Sequence, residues 1–158
     1  LILRPEELMA LHDATVARFG GLTADLNSHS SAQKAQGVCG RIRMAMYYLG
    51  ACYNWDDPYI SAALHAGFIA KAHAFADGNK RTALNAAGLI LLRAGIAICD
   101  NEKLPELFVQ LAEKEMDVER LASVLEELVT KKSAVDADSG ALFGIRALSR
   151  RAIDPVNI

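Results

Sequence analysis

The sequence predicts an all-α protein, a compact bundle of about six helices around one buried central helix. Three observations carry this expectation. From Ala83 to Ile98 the only polar side chains are Asn85 and Arg93, so a helix here is apolar nearly all round and belongs at the centre of a core. Before and after it, apolar residues recur at helical spacing, as in Ile60, Leu64 and Phe68, or Leu121, Leu125 and Leu128. The one stretch that could pass for a strand, Ile96-Ala97-Ile98, has nothing to pair with and reads as an extended connection.

Taken in order, the first helix covers about residues 5 to 19. Pro5 suits the first helical position, Glu6 and Glu7 favour the positive end, and Leu8, Leu11, Val16 and Phe19 form its apolar face. Gly20-Gly21 stops it. Residues 22 to 31 are polar enough for a loop, and a second helix follows over about 32 to 53, with Gly37, Gly40 and Gly50 weakening it. Within it, Met44-Ala45-Met46-Tyr47-Tyr48 reads as a core-facing stretch whose exposed members would form a partner groove. Asn54-Trp55-Asp56-Asp57 makes a break. Asp57 is a natural N-cap and Pro58 a natural first residue for a third helix, which runs to about Ala72. A polar loop leads into the central helix, 79 to about 95. Pro105 to Glu115 is a short helix, and Val118, Leu121, Leu125, Leu128 and Val129 mark another. Beyond Lys131 the pattern fails. The chain thus divides into a catalytic-sized domain, 1–132, and a tail, 133–158, that the chemistry does not need.

Composition narrows the function classes. A chain of 158 residues with 52% hydrophobic content is one domain with ample core, and a net charge of -2 gives no reason to expect nucleic acid or a membrane as a partner. The run from 83 to 98 is shorter than the about 20 residues needed to span a bilayer. Cys39, Cys52 and Cys99 are scattered, with no CxxC pair and no secretory n-region or h-region at the start, which points to the cytoplasm. HExxH, GxSxG and P-loop patterns are missing. A zinc site that included His65 and His73 therefore has little support.

The chemistry gathers in His73-Ala74-Phe75-Ala76-Asp77-Gly78-Asn79-Lys80-Arg81-Thr82-Ala83-Leu84. Its polar end lies at the N-terminus of the central helix, where backbone N–H groups lack intrahelical partners and the macrodipole is positive. This is an anion site. Gly78 lets a ligand approach the backbone at the turn that starts near Asn79, Lys80 and Arg81 add cationic donors suited to phosphate oxygens, and Asn85 shares a helix face with Arg81. Asp77 offers a hard oxygen ligand for Mg²⁺, and His73 can take a proton near neutral pH. Phe75 points into the core and fixes the loop. Singly, each residue has an ordinary structural explanation; it is the combination at the mouth of a buried helix that signals a site.

This loop resembles that of the Fic/Doc superfamily, which reads His-x-Phe-x-Asp/Glu-Gly-Asn-Gly-Arg-x-x-Arg in the Fic branch and His-x-Phe-x-Asp-Ala-Asn-Lys-Arg in the Doc branch. The chain is closer to Doc. Lys80 replaces the Fic glycine and Leu84 takes the place of the second Fic arginine, while Gly78 follows Fic. The similarity extends through Pro5-Glu6-Glu7-Leu8, Leu11-His12-Asp13 and Arg18-Phe19-Gly20-Gly21-Leu22 and covers roughly residues 4 to 130.

The resemblance implies a Doc-like (death-on-curing) toxin of a toxin-antitoxin module, a kinase-type enzyme that moves the γ-phosphate of ATP, with Mg²⁺, to a threonine or serine hydroxyl of an elongation factor Tu-like protein and halts translation. His73 would act as base, Asp77 as Mg²⁺ ligand, and Gly78, Asn79, Lys80, Arg81 and Asn85 as phosphate ligands. Lys80 fills space that glycine leaves for the AMP donor in Fic, which favours phosphate over AMP transfer. The alternatives are a Fic-like AMP transferase, a nucleotide-binding module without turnover, and an oligomeric scaffold. Many Fic proteins carry an inhibitory helix reading Ser/Thr-x-x-x-Glu-Gly/Asn. Here Ser123 to Leu128 supplies Glu127 but not the Gly or Asn, so the resemblance implies control in trans, by a Phd-like antitoxin whose C-terminal segment folds onto a groove near Leu8, Met9, Met44 and Tyr47.

Overall fold

The structure, a computed structural model, describes residues 2–21, 29–97 and 117–130. Within them the chain is all-helical: α1 (Pro5–Phe19), α2 (His29–Tyr48), α3 (Pro58–Ala72), α4 (Asn79–Arg93) and α5 (Val118–Thr130). The bounds of α1 and α3 are those read from the sequence, and α4 stops at Arg93. The expected helix over Pro105 to Glu115, the tail from 133 and Cys99 lie outside the described residues.

The end of α2 differs from expectation. The helix begins at His29 and stops at Tyr48 instead of reaching 53, because the chain turns at Leu49 and Gly50: Leu49 N–H still reaches Ala45 O, while Cys52 and Tyr53 N–H both return to Leu49 O. Gly50 tucks beneath the last turn, where an added Cβ would stand 3.2 Å from Met46 O. Gly37 and Gly40 face open space and leave the helix unbroken. Met44, Tyr47 and Tyr48 are exposed rather than core-facing.

The core forms where α4 lies against α3, with α1 and α2 on one side and α5 on α3. All ten residues from Thr82 to Leu91 are buried, as a helix with almost no polar side chains requires. Ala62, Ala63, Ala66 and Ala70 of α3 and Ala83, Ala86 and Ala87 of α4 are buried together, and their small side chains allow close approach of the two backbones. Leu64, Ile69, Leu89, Ile90 and Leu91 fill the space around them. No helix among the described residues is long and apolar enough to cross a membrane.

Polar ties hold the helix ends. Asp57 caps α3, its Oδ1 accepting from the N–H groups of Tyr59 and Ile60, and Pro58 follows at the first helical position. Arg93, one of the two polar residues in the central run, closes α4 with a 2.6 Å ion pair to Glu7 of α1. Burial opposes ionisation of Glu7, but Arg93 and the Arg4 backbone N–H outweigh it and hold the carboxyl below its usual range.

His65 is a buried structural histidine. Its Nδ1–H donates to Ser61 O at 2.7 Å and its Nε2 accepts from Leu3 N–H at 3.2 Å, so a second proton would both charge a buried ring and remove an acceptor. Desolvation lowers its pKa from 6.5 to about 4. Between these values the unfolded chain binds the proton and the folded chain does not, so stability is complete above pH 6.5 and declines as the pH falls toward 4. The loss attributable to this ring is about 3 kcal/mol. Urea midpoints measured from pH 7 to 4 should fall accordingly, with the His65 ring resonance still in its neutral position at pH 5; a ring protonated at pH 6 in the folded protein would contradict the assignment.

Candidate active site

The loop from His73 to Gly78 joins the end of α3 to the start of α4, and each end is set by a left-handed residue. His73 caps α3 at φ 46° and ψ 40°, the only positive φ outside glycine among the described residues. Such a conformation in a non-glycine residue stores strain and is concentrated at functional sites. Gly78, at φ 76°, is the N-cap of α4, and its carbonyl accepts the first helical bond from Thr82 N–H at 2.8 Å. Glycine takes this conformation without a side-chain penalty.

Between these ends the loop is anchored from inside. Ala74 and Phe75 are buried, and the Phe75 ring stacks on His12 of α1 with centroids 3.9 Å apart. The Asn79 amide closes the loop on itself: Oδ1 accepts from Phe75 N–H at 3.0 Å, and Nδ2 donates to Phe75 O at 2.8 Å. Its side chain is therefore a clamp, and what Asn79 can offer an anion is its backbone N–H in the first turn of α4. Asp77 accepts the Gly78 N–H on Oδ1 at 2.6 Å, and its carbonyl accepts from His12 Nε2 at 2.9 Å.

With the inward residues fixed, several polar side chains remain on the outer side of the loop. His73, Asp77 and Arg81 are exposed and Lys80 is half-buried, all on the loop or the first turn of α4. The Arg81 guanidinium lies 5.3 Å from the Phe19 ring centroid, and Arg18 stands over the same ring at 5.6 Å. Phe19, expected on the buried face of α1, is instead 41% exposed and braces Arg81. Among the described residues no three of His, Cys, Asp and Glu come together as a metal cluster. The exposed Asp77 carboxylate beside the N-terminus of α4 has the chemistry of an Mg²⁺ ligand, since that ion takes one or two carboxylates and completes its shell with water and phosphate oxygens.

One expected phosphate ligand is corrected. Asn85 is 3% exposed, and its Nδ2 donates to Thr15 Oγ1 of α1 at 2.7 Å. The four-residue spacing does set it one turn below Arg81, but that turn is already inside the core, so Asn85 ties α4 to α1 and does not reach the mouth.

Sequence reasoning assigned no place at the loop to His12, Thr15 or Gly21. His12 and Thr15 fall on the same stripe of α1 as Leu8, Leu11 and Val16, and a polar residue on an apolar stripe signals a buried partner. Gly21 lies against the loop, where an added Cβ would meet Asp77 Oδ2 at 2.7 Å.

Comparison with known proteins gives the family. A profile of the Fic/DOC family matches residues 2–91, which span α1 to most of α4 and include the loop. The chain is 36% identical over 126 residues to "Protein kinase doc" of Escherichia phage P1, covering 80% of this chain and 94% of that protein. The chain belongs to the Fic/Doc family. Its Fic/Doc loop is thus built from four left-out-of-core side chains, His73, Asp77, Lys80 and Arg81, around an internal frame of Phe75, Asn79 and His12.

Proposed function

We propose that this Fic/Doc protein is a Doc-like toxin that transfers the γ-phosphate of ATP, or a related nucleoside triphosphate, to a threonine or serine hydroxyl of an elongation factor Tu-like protein. The observation that carries the reading is the anchored loop at the N-terminus of buried α4, which turns His73, Asp77, Lys80 and Arg81 outward. The phage relative named a protein kinase supports phosphate transfer.

In this reading each side chain has a role that its placement suits. His73 takes the proton from the attacking hydroxyl. Asp77 would hold Mg²⁺, which would supply positive charge to offset that of the phosphates. The first N–H groups of α4, from Asn79 onward, and the side chains of Lys80 and Arg81 take the phosphate oxygens, with Gly78 keeping the approach open. Positioning and charge stabilisation account for most of the barrier reduction in phosphoryl transfer.

AMP transfer is the second reading, favoured by Gly78, the loop residue that follows the Fic pattern. Its φ of 76° accounts for glycine without invoking a different donor. Lys80 at the next-but-one position weighs toward phosphate.

Control belongs in trans, through a Phd-like antitoxin. Met44 and Tyr47 are 54% and 80% exposed and remain candidates for its groove, and Met9 is partly buried. Leu8 is withdrawn, because it is fully buried in the core. Expression with and without the neighbouring antitoxin gene tests the biology: growth arrest only in its absence is expected, with phosphothreonine or phosphoserine on the elongation factor. A harmless isolated chain that becomes toxic on Glu127→Gly would place the brake within the chain.

The tail is dispensable for this chemistry. A chain ending near Lys132 should retain nucleotide turnover, since the sequence from Ser133 onward carries neither a periodic apolar face nor a residue of the loop motif. Loss of folding or turnover on truncation would show that the tail contributes to the domain.

A further inference from the structure

We propose that His12 is a positioning residue for the carboxylate of Asp77, an inference that rests on the phosphotransfer reading of the loop. His12 lies on α1, far from the motif in sequence, and is fully buried. Its Nε2 faces the Asp77 carbonyl at 2.9 Å, which requires the proton on Nε2, and its ring stacks on Phe75 with planes 14° apart. One side chain thus holds both ends of the Phe75-Ala76-Asp77 segment.

The other ring nitrogen shows what this arrangement is for. His12 Nδ1 is buried without a hydrogen bond, 3.7 Å from the nearest carboxylate oxygen, Asp13 Oδ1. A buried polar atom left unpartnered costs stability, and an aromatic hydrocarbon would fill the same space without that cost. What a hydrocarbon cannot do is donate to Asp77 O. The bond fixes the peptide of Asp77 from beneath, while Oδ1 is held by Gly78 N–H. The space for the carboxylate also depends on α1. Gly21, at φ 126° just past the end of α1, leaves room for Oδ2 that an added Cβ would occupy at 2.7 Å. α1 and its terminal turn therefore form the seat of Asp77, and the metal-binding oxygen is aimed by residues outside the motif.

Two pairs of variants of the full chain separate donation from packing. His12→Phe keeps a ring for the Phe75 stack and removes the donor. His12→Gln and His12→Leu both remove the ring and are similar in size, but only Gln can donate to Asp77 O. We expect His12→Phe to fold, to lose at least tenfold in kcat, and to need several-fold more Mg²⁺ for half-maximal rate, with KM for ATP changed less. His12→Gln should exceed His12→Leu in kcat by at least fivefold at equal stability. Wild-type kcat and Mg²⁺ dependence in His12→Phe, or equal activity of the Gln and Leu variants, would overturn the proposal. A readout independent of turnover keeps it distinct from the phosphotransfer reading. In wild type, Mg²⁺ with ATP should shift the Gly78 amide resonance, and the Mg²⁺ concentration needed should rise in His12→Leu but not in His12→Gln. If wild type transfers no phosphate yet shows this pattern, the functional reading fails and the positioning role stands. The same Mg²⁺ dependence in both variants would remove the positioning role.

Discussion

Replacing His73 by Ala is expected to lower phosphate transfer by about 10²- to 10⁴-fold, the range that a positioned general base contributes. The fold should survive. His73 is exposed and terminates α3 through its backbone conformation, so the imidazole contributes little packing, and Ala in the same left-handed position keeps the chain direction at similar strain. Turnover by purified variant and wild type, compared at matched thermal midpoints, is the check. Equal turnover, or growth arrest equal to wild type at equal expression, would remove His73 from the base role.

Asp77→Asn should have an effect of the same order through a different cause. The amide oxygen can still accept from Gly78 N–H, so the loop keeps its shape while the negative charge is lost. Loss of a metal ligand forfeits charge stabilisation of several kcal/mol, about 10²-fold or more in rate at limiting Mg²⁺. Raising Mg²⁺ should recover part of it. A titration in which the variant and wild type respond identically to Mg²⁺, or an activity indifferent to divalent ions, would contradict the assignment of Asp77.

Much of this architecture was legible because the strongest signals are local. Pro58 behind the capping Asp57, Pro5 ahead of Glu6 and Glu7, and Gly20 after Phe19 mark helix ends by backbone chemistry that needs no tertiary context. The run after Thr82, apolar but for Asn85 and Arg93, gave away the central helix for the same reason. What escaped depends on neighbours. The stop of α2 at Tyr48 is set by how Gly50 folds beneath the helix, and nothing in the spacing before it distinguishes a helix that ends from one that continues. Asn85 shares a face with Arg81, but a helix face is a stripe that passes from the mouth into the core within one turn. Phe19 fits the period of α1 yet lies at its last residue, where it is exposed and meets Arg81 instead.

The loop shows the same division. Its outward polar residues stand out in the sequence because they cluster just before a long apolar run. The frame that holds them was not, since the partners of Phe75 and Asp77 come from α1, far away in sequence. The family resemblance put Asn79 among the phosphate ligands, and in the structure its side-chain amide is committed to the Phe75 backbone.

The central claim is the transfer of a terminal phosphate, and the most direct measurement is to incubate the protein, Mg²⁺ and a bacterial lysate with ATP labelled at the γ- or the α-phosphate. The account predicts a labelled protein of elongation factor size from the γ-labelled nucleotide alone, absent with His73→Ala. Label carried over from the α-phosphate would show AMP transfer, and nucleotide binding without label from either position would show a module that binds but does not turn over; both results contradict it.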